Sequence, residues 1–148
     1  MKEQSFAAVA LVPGAAQGAP LKLDEPLSFW GGLNPKTGVV IDRLHPQRGA
    51  NVAGRVLMMP AGRGSSSGSA SLAEAIRLGM GPAAILLLER DAIVMVGAMV
   101  AAELYGATCP VALGRKQDWN ALASASWLAM RAEQSRAFID AASPGQRS

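Results

Sequence analysis

The sequence predicts a single α/β domain organised around a parallel βαβαβ unit, and three observations carry that reading. Residues 56–59 (VLMM) and 83–88 (AAILLL) are apolar runs too short for helices, of the kind that form strands buried on both faces. Between them lies a glycine- and serine-rich stretch that passes into helical spacing. Residues 94–105 then form a longer, nearly uncharged run of helix length, followed by a third apolar run at 108–113. Strand, helix, strand, helix, strand within one sheet takes the right-handed crossover.

Composition narrows the classes. A chain of 148 residues and 15.3 kDa has the size of one domain and buries roughly 68–70% of the surface its unfolded form exposes. Half of the residues are hydrophobic and 17% are charged, with 16 glycines and 9 prolines, which suits a turn-rich packed fold and not a disordered chain. The net charge is +3 and the arginines are scattered, so no nucleic-acid partner is expected, whereas an anionic small molecule is compatible. One cysteine, Cys109, and one histidine, His45, provide neither an internal disulfide nor a thiolate and imidazole set for zinc or iron. Any metal is therefore expected on another chain. Cys109 beside Pro110 in an apolar run reads as a buried structural cysteine, nothing points to an oxidising compartment, and a cytoplasmic location is expected. No uninterrupted run of about eighteen apolar residues suggests a membrane span. At the start, Glu3 offsets Lys2 and the apolar stretch at 6–12 stops at Pro13, so it reads as a strand and not as a secretory leader.

Taken in order, residues 6–12 and 21–23 are short strands separated by a loop holding Gly14 and Gly18, and they are expected to pair with each other. Residues 28–38 (SFWGGLNPKTG) set a double glycine after Trp30 and an Asn34-Pro35 turn before Gly38, which reads as a hairpin into Val39, Val40 and Ile41. Trp30 reads as core or as a group beside a ligand. In the polar loop 42–50, Pro46 restricts His45 to extended geometry, and a lone loop histidine reads first as a hydrogen-bonding structural residue. Arg43 and Arg48 are expected in solvent or against a partner.

After the strand at 56–59 the chain runs Gly62-Arg63-Gly64-Ser65-Ser66-Ser67-Gly68. The glycines let the backbone approach a ligand, the serines line it with hydroxyls, and Arg63 adds a fork suited to carboxylate or phosphate. Free N–H groups at a helix start attract anions. The helix that follows is expected to span about two turns, with Ser71 and Glu74 as a capping box, Leu72, Ala73 and Ile76 as its apolar stripe, and Gly79 and Pro82 as its stop. Glu89, Arg90 and Asp91 read as surface charges after the next strand. Residues 94–105 read as a helix buried all round, ending at Gly106, with Gly97 and Ala98 packed on the sheet. Beyond Asp118, the spacing of Trp119, Leu122, Ala123, Ser126, Trp127 and Met130 fits a helix.

Three familiar loops compete for residues 62–68. Gly64-Ser65-Ser66-Ser67-Gly68 fits G-x-S-x-G, with Ser66 as a hydrolase nucleophile, but His45 lies upstream where that motif needs a later histidine. The glycines with Glu89 about twenty residues on mimic a dinucleotide fingerprint, followed by too few βα units. A phosphate-binding P-loop requires a lysine that is missing here.

The segments SFWGGLNPKTGVVIDRLHPQRGANVAGRVLMMP and PAGRGSSSGSASLAEAIRLGMGPAAILLLERD resemble the small subunit, or swivel domain, of the aconitase X family, over about residues 6–113. The resemblance implies a swivelling β/β/α domain, with mixed β-sheets or a barrel and packed helices, over residues 1–142, and a disordered tail at 143–148. It implies the small subunit of a heteromeric hydro-lyase that dehydrates a hydroxy acid and is inactive without its large subunit. An iron-sulfur cluster, 2Fe-2S or 4Fe-4S, is expected on that large subunit, with no cofactor on this chain. The family's base is the serine after Gly-Arg-Gly, which is Ser65 here. Substrate contacts are then expected from Gly62, Arg63, Gly64, Ser66 and Ser67, from Trp30, Gly31 and Gly32 facing the cleft, and from His45 as a minor candidate. The expected substrate is cis-3-hydroxy-L-proline. Mevalonate 5-phosphate, or a non-catalytic anion-binding or regulatory module, are the alternatives. Asn34 stands where family members often carry Asp. The resemblance also favours a short helix followed by a hairpin of residues 127–131 and 136–140 over one long helix, with Ala132-Glu133-Gln134 in place of the usual glycine turn.

Overall fold

A four-residue run without a polar side chain is stable as a strand only where both faces are covered, and two such runs form the centre of this domain. The computed structural model describes residues 4–142. Its elements follow in the order β1 (Gln4–Val12), β2 (Gly14–Gly18), β3 (Pro20–Lys22), the single turn α1 (Phe29–Gly32), β4 (Leu33–Asn34), β5 (Val39–Val40), β6 (Val56–Met59), α2 (Ser67–Arg77), β7 (Ala84–Leu87), α3 (Ala92–Tyr105), β8 (Val111–Leu113), a 3-10 turn at Lys116–Asp118, α4 (Trp119–Ser124), β9 (Trp127–Glu133) and β10 (Arg136–Ala142).

β6, β7 and β8 are parallel neighbours, with Val56 opposite Ala84 and Ile85 opposite Val111. Side chains alternate across the sheet with the strand period of two. Leu57, Met59, Ile85, Leu87 and Val111 enter a core shared with α2 and α3. Val56, Met58, Ala84, Leu86 and Ala112 enter a second core closed by Trp119, Leu122, Leu128 and Ile139. Every residue of β6 and β7 is buried as a result. Full burial of one such aliphatic side chain stabilises the fold by about 1.5–3 kcal/mol.

Among the described residues the main sheet has eight strands in the order β2-β9-β10-β1-β8-β7-β6-β3, and β4 pairs with β5 separately. Only Ala19 lies between β2 and β3, the two edges of that sheet, so the edges meet at one corner and the sheet curls nearly closed. The corner is tied down by Val56 N–H and Arg55 Nε donating to the Ala19 carbonyl at 3.0 and 3.2 Å, and by Arg55 Nη2 donating to Pro20 O at 2.8 Å. This is the mixed, barrel-like sheet with packed helices that the family resemblance implies, in a single domain. No helix of the described residues is long and apolar enough to cross a membrane.

Several local expectations are corrected. The strands at 6–12 and 21–23 do not pair: β1 runs antiparallel to β10 and β8, while β3 lies parallel to β6. The stretch from Gly14 to Gly18 is a strand, β2, and not a loop, because β9 supplies an antiparallel partner far along the chain. Ser71 and Glu74 do not form a capping box. α2 begins four residues earlier and is three turns long, and Glu74 instead receives Arg77 Nε and Nη2 at 2.7 and 2.8 Å in solvent. That bond holds the Glu74 carboxyl below its usual pKa.

α3 is not buried all round. Val94, Gly97, Ala98 and Ala101 face inward, but Val96, Met99, Leu104 and Tyr105 are exposed. Gly97 serves packing against α2 more than against the sheet, since a Cβ there would lie 3.0 Å from Leu72 Cδ2 and from Ser69 O. Gly106 ends α3 in the left-handed conformation at φ 63°.

The tail follows the short helix and hairpin. β9 and β10 are longer than the segments expected, and they turn through Gln134 and Ser135, with Gln134 at φ 51° in the place a glycine usually takes. The hairpin of β4 and β5 forms as the Asn34-Pro35 turn suggests. The tail expected to be disordered, 143–148, lies outside the described residues.

Candidate active site

A loop between a buried parallel strand and a helix leaves the sheet at the strand's carboxyl end, where open α/β sheets present ligands. Here the loop after β6 is anchored at its root. Pro60 O accepts from Leu88 and Glu89 N–H, both at 3.0 Å, and Gly62 N–H donates to Asp91 Oδ2 at 2.9 Å. Asp91 Oδ1 meanwhile accepts from Val94 N–H at 3.1 Å and caps α3. One carboxylate thus fixes both the glycine loop and the start of α3.

The next residues meet the segment around α1. Arg63 N–H donates to Leu27 O at 3.2 Å, and its guanidinium lies 3.5 Å from Asp42 Oδ2, with the Arg63 side chain 49% exposed. Gly64 takes φ 110°, and a Cβ there would fall 2.5 Å from Ser28 Oγ. No other residue type fits without strain and collision. Ser28 Oγ in turn donates to Trp30 O at 2.9 Å. Gly68 is buried between Ile93 and the Trp30 backbone: its Cβ position lies 3.1 Å from Ile93 Cγ2 and 3.9 Å from Trp30 N.

Between these anchors, Ser65, Ser66 and Ser67 are exposed at the mouth of α2. Ser65 O accepts from Gly68 N–H at 2.9 Å and Ser66 O from Ser69 N–H at 3.1 Å, so the first turn is closed by backbone. Among the described residues none hydrogen-bonds the hydroxyls of Ser65, Ser66 or Ser67. Ser69 differs, donating to Ile93 O at 2.7 Å. The arrangement presents hydroxyls and helix N-terminal N–H groups on one surface, which suits an anion, with the Arg63 guanidinium beside the loop already paired to Asp42.

Of the residues singled out in the sequence, the fold brings Gly62, Arg63, Gly64, Ser65, Ser66 and Ser67 together with Trp30 and Gly31. Trp30 is 63% exposed and Gly31 has open space around it. Gly32 is buried, and its carbonyl accepts from Ile41 N–H at 2.9 Å. His45 is buried as well. Its Nδ1 accepts from Gln47 N–H at 3.0 Å, so the proton sits on Nε2, which donates to Glu25 O at 3.1 Å. Both nitrogens are occupied in holding the 42–50 loop, which is the hydrogen-bonding structural position read first from the sequence. Asp91, Asp42 and Ser28 are the site's supports that sequence reasoning missed. Asp91 precedes a helical run, the N-cap signal, and was legible on that ground.

The described residues do not fit an iron-sulfur cluster. Among the described residues no three His, Cys, Asp or Glu side chains converge. Cys109 is buried and stands alone, and burial pushes its thiol up to about 12.

Residues 5–139 match the aconitase X swivel domain. A cis-3-hydroxy-L-proline dehydratase of Pseudomonas aeruginosa is 50% identical over 109 residues, 73% of this chain and 19% of that protein. The phosphomevalonate dehydratase small subunit of Methanothermobacter thermautotrophicus is 42% identical over 88 residues, 60% of this chain and 67% of that one. Among solved structures, holo-form aconitase X of Thermococcus kodakaraensis superposes with a TM-score of 0.74 at 28% identity, over 92% of this chain and 98% of that chain. The chain spans about a fifth of the length of the bacterial dehydratase.

Proposed function

Because the chain belongs to the aconitase X swivel-domain family, we propose that it is the small subunit of a hydro-lyase that dehydrates cis-3-hydroxy-L-proline, with Ser65 as the proton-abstracting base. The observation that carries this reading is the Ser65 hydroxyl: exposed, without a hydrogen-bond partner among the described residues, and set directly after the positive-φ Gly64 at the start of α2. The 50% identity to a dehydratase named for that substrate favours it over mevalonate 5-phosphate.

In the proposed reaction Ser65, as its alkoxide, takes the proton from the carbon beside the substrate carboxylate. The electron pair of that C–H bond forms the new double bond, and the hydroxyl on the neighbouring carbon departs. A serine in water is far too weak a base for this. Here the N–H groups of Ser66 and Ser67, the positive end of α2 and the Arg63 guanidinium favour the negative oxygen, and the same groups orient the carboxylate. Trp30 and Gly31 border the surface on the side of α1 and shield it from water once it is covered. Gly62 and Gly64 hold the backbone course that brings the three serines outward.

In this reading the acid that assists hydroxyl departure comes from the partner chain. An iron-sulfur centre on a larger chain, as the family resemblance implies, and a heteromeric enzyme in the cytoplasm, inactive without that chain, go with the reading. Assaying the purified chain alone, and together with its large subunit, on cis-3-hydroxy-L-proline and on mevalonate 5-phosphate tests it. Turnover of the first substrate only in the pair is expected; turnover by this chain alone, or of neither substrate by the pair, overturns it.

A further inference from the structure

We propose that the outer face of α3 is the surface on which the large subunit docks, a proposal that rests on the heteromeric reading above. α3 has the sequence AIVMVGAMVAAELY, with Glu103 its only charge. A helix that meets solvent along one side normally carries a polar face there. This one instead exposes Val96 at 46%, Met99 at 49% and Leu104 at 69%, and these residues with Val100 and the aliphatic stem of Glu103 line a shallow groove whose walls are apolar. A contiguous apolar strip of this kind marks an interaction surface.

Two observations name the occupant. The matching dehydratase is about five times as long as the matched segment, so about four fifths of that protein has no counterpart in this chain, and a larger partner is what the heteromeric reading supplies in its place. The strip is also continuous with the candidate active site. Ile93, at the start of α3, touches Gly68 in the first turn of α2, and Gly68 adjoins Trp30. Asp91 joins the same end of α3 to Gly62. A chain that covers Ser65 and Trp30 therefore reaches α3 by continuing along one surface. Size argues the same way. A stable interface takes about 800 Å² from each partner, an area that spreads beyond one short loop. α3, about 21 Å long, extends that loop with apolar area.

The test compares the wild-type chain with the double variant Val96→Glu and Met99→Glu, and with Ser65→Ala, for association with the large subunit by sedimentation velocity and titration calorimetry. Both glutamates fall on exposed helix positions, so the melting temperature of the isolated chain is expected to hold, and a cooperative melt confirms folding. The double variant is expected to raise Kd roughly tenfold or more, because a charge is left without a partner in an apolar contact. Ser65→Ala is expected to associate as wild type does. If Ser65→Ala keeps full turnover while the glutamates still prevent association, the catalytic reading fails and the docking surface stands. A double variant that is folded and associates with wild-type affinity overturns the proposal. So does a wild-type chain that fails to associate, or glutamates that only dissociate a dimer of this chain.

Discussion

The Asp91 carboxylate holds Gly62 N–H at 2.9 Å with one oxygen and, with the other, caps α3 through Val94 N–H at 3.1 Å. The glycine-serine loop is thereby referenced to a helix as well as to the strand it leaves, and the position of Ser65 three residues on depends on that link. Replacing Asp91 by Ala strands a partly buried N–H, which costs about 1–3 kcal/mol, and removes a cap worth about 1 kcal/mol. A lower urea midpoint at unchanged slope is expected, together with reduced turnover in the assembled enzyme. An unaltered midpoint contradicts the link.

Gly64 combines φ 110° with a Cβ position 2.5 Å from Ser28 Oγ. Gly64→Ala is therefore expected to lower stability by about 1–2 kcal/mol and to displace Ser65. Combining it with Ser28→Gly relieves the collision but not the backbone strain, so thermal melts are expected to recover in part. Full recovery would mean that the collision alone matters.

His45 holds Glu25 O and Gln47 N–H at once from a buried position. His45→Ala leaves both without their partner, at about 1–3 kcal/mol for each buried group. The melting temperature is expected to drop while kcat of the folded, assembled enzyme stays near wild type. A kcat loss at full folding would restore His45 to the site.

How much of this was legible in the sequence depends on whether the partner of each residue lies nearby in the chain. The βαβαβ unit was readable because Val56–Met59 and Ala84–Leu87 have no polar side chain and therefore need cover on both faces wherever they sit. β2 was not, because GAAQG becomes a strand only through β9, more than a hundred residues on. The capping box at Ser71 and Glu74 had the right spacing and the wrong place. Tertiary contacts of Gly68 with Ile93 draw the helix start back to Ser67. At the site, the serines and glycines were legible as a ligand loop, whereas the ion pair of Arg63 with Asp42 joins segments that no local pattern connects. The exposed side of α3 was misread for a related reason: an apolar helix signals burial, but not whether its own chain provides it.

Burial pushes the Cys109 thiol up to about 12 from 9.0. With the folded value above the unfolded one, the unfolded chain loses its proton first, so this group's contribution to stability is intact below pH 9 and declines as pH rises towards 12. The slope approaches about 1.4 kcal/mol per pH unit. The stability difference between wild type and Cys109→Ala, followed by urea unfolding from pH 8 to 11, is expected to narrow with rising pH. Iodoacetamide at pH 8 is expected to label the thiol only after unfolding. A flat difference, or rapid labelling of the folded chain, contradicts its burial.

The central claim is that the Ser65 hydroxyl removes the proton. The most direct measurement is kcat of the reconstituted enzyme carrying Ser65→Ala, alongside its melting temperature and its affinity for the large subunit. Loss of a positioned base predicts a fall in kcat of about 10²–10⁴ with the other two quantities unchanged. A variant that folds, assembles and turns over like wild type contradicts the account.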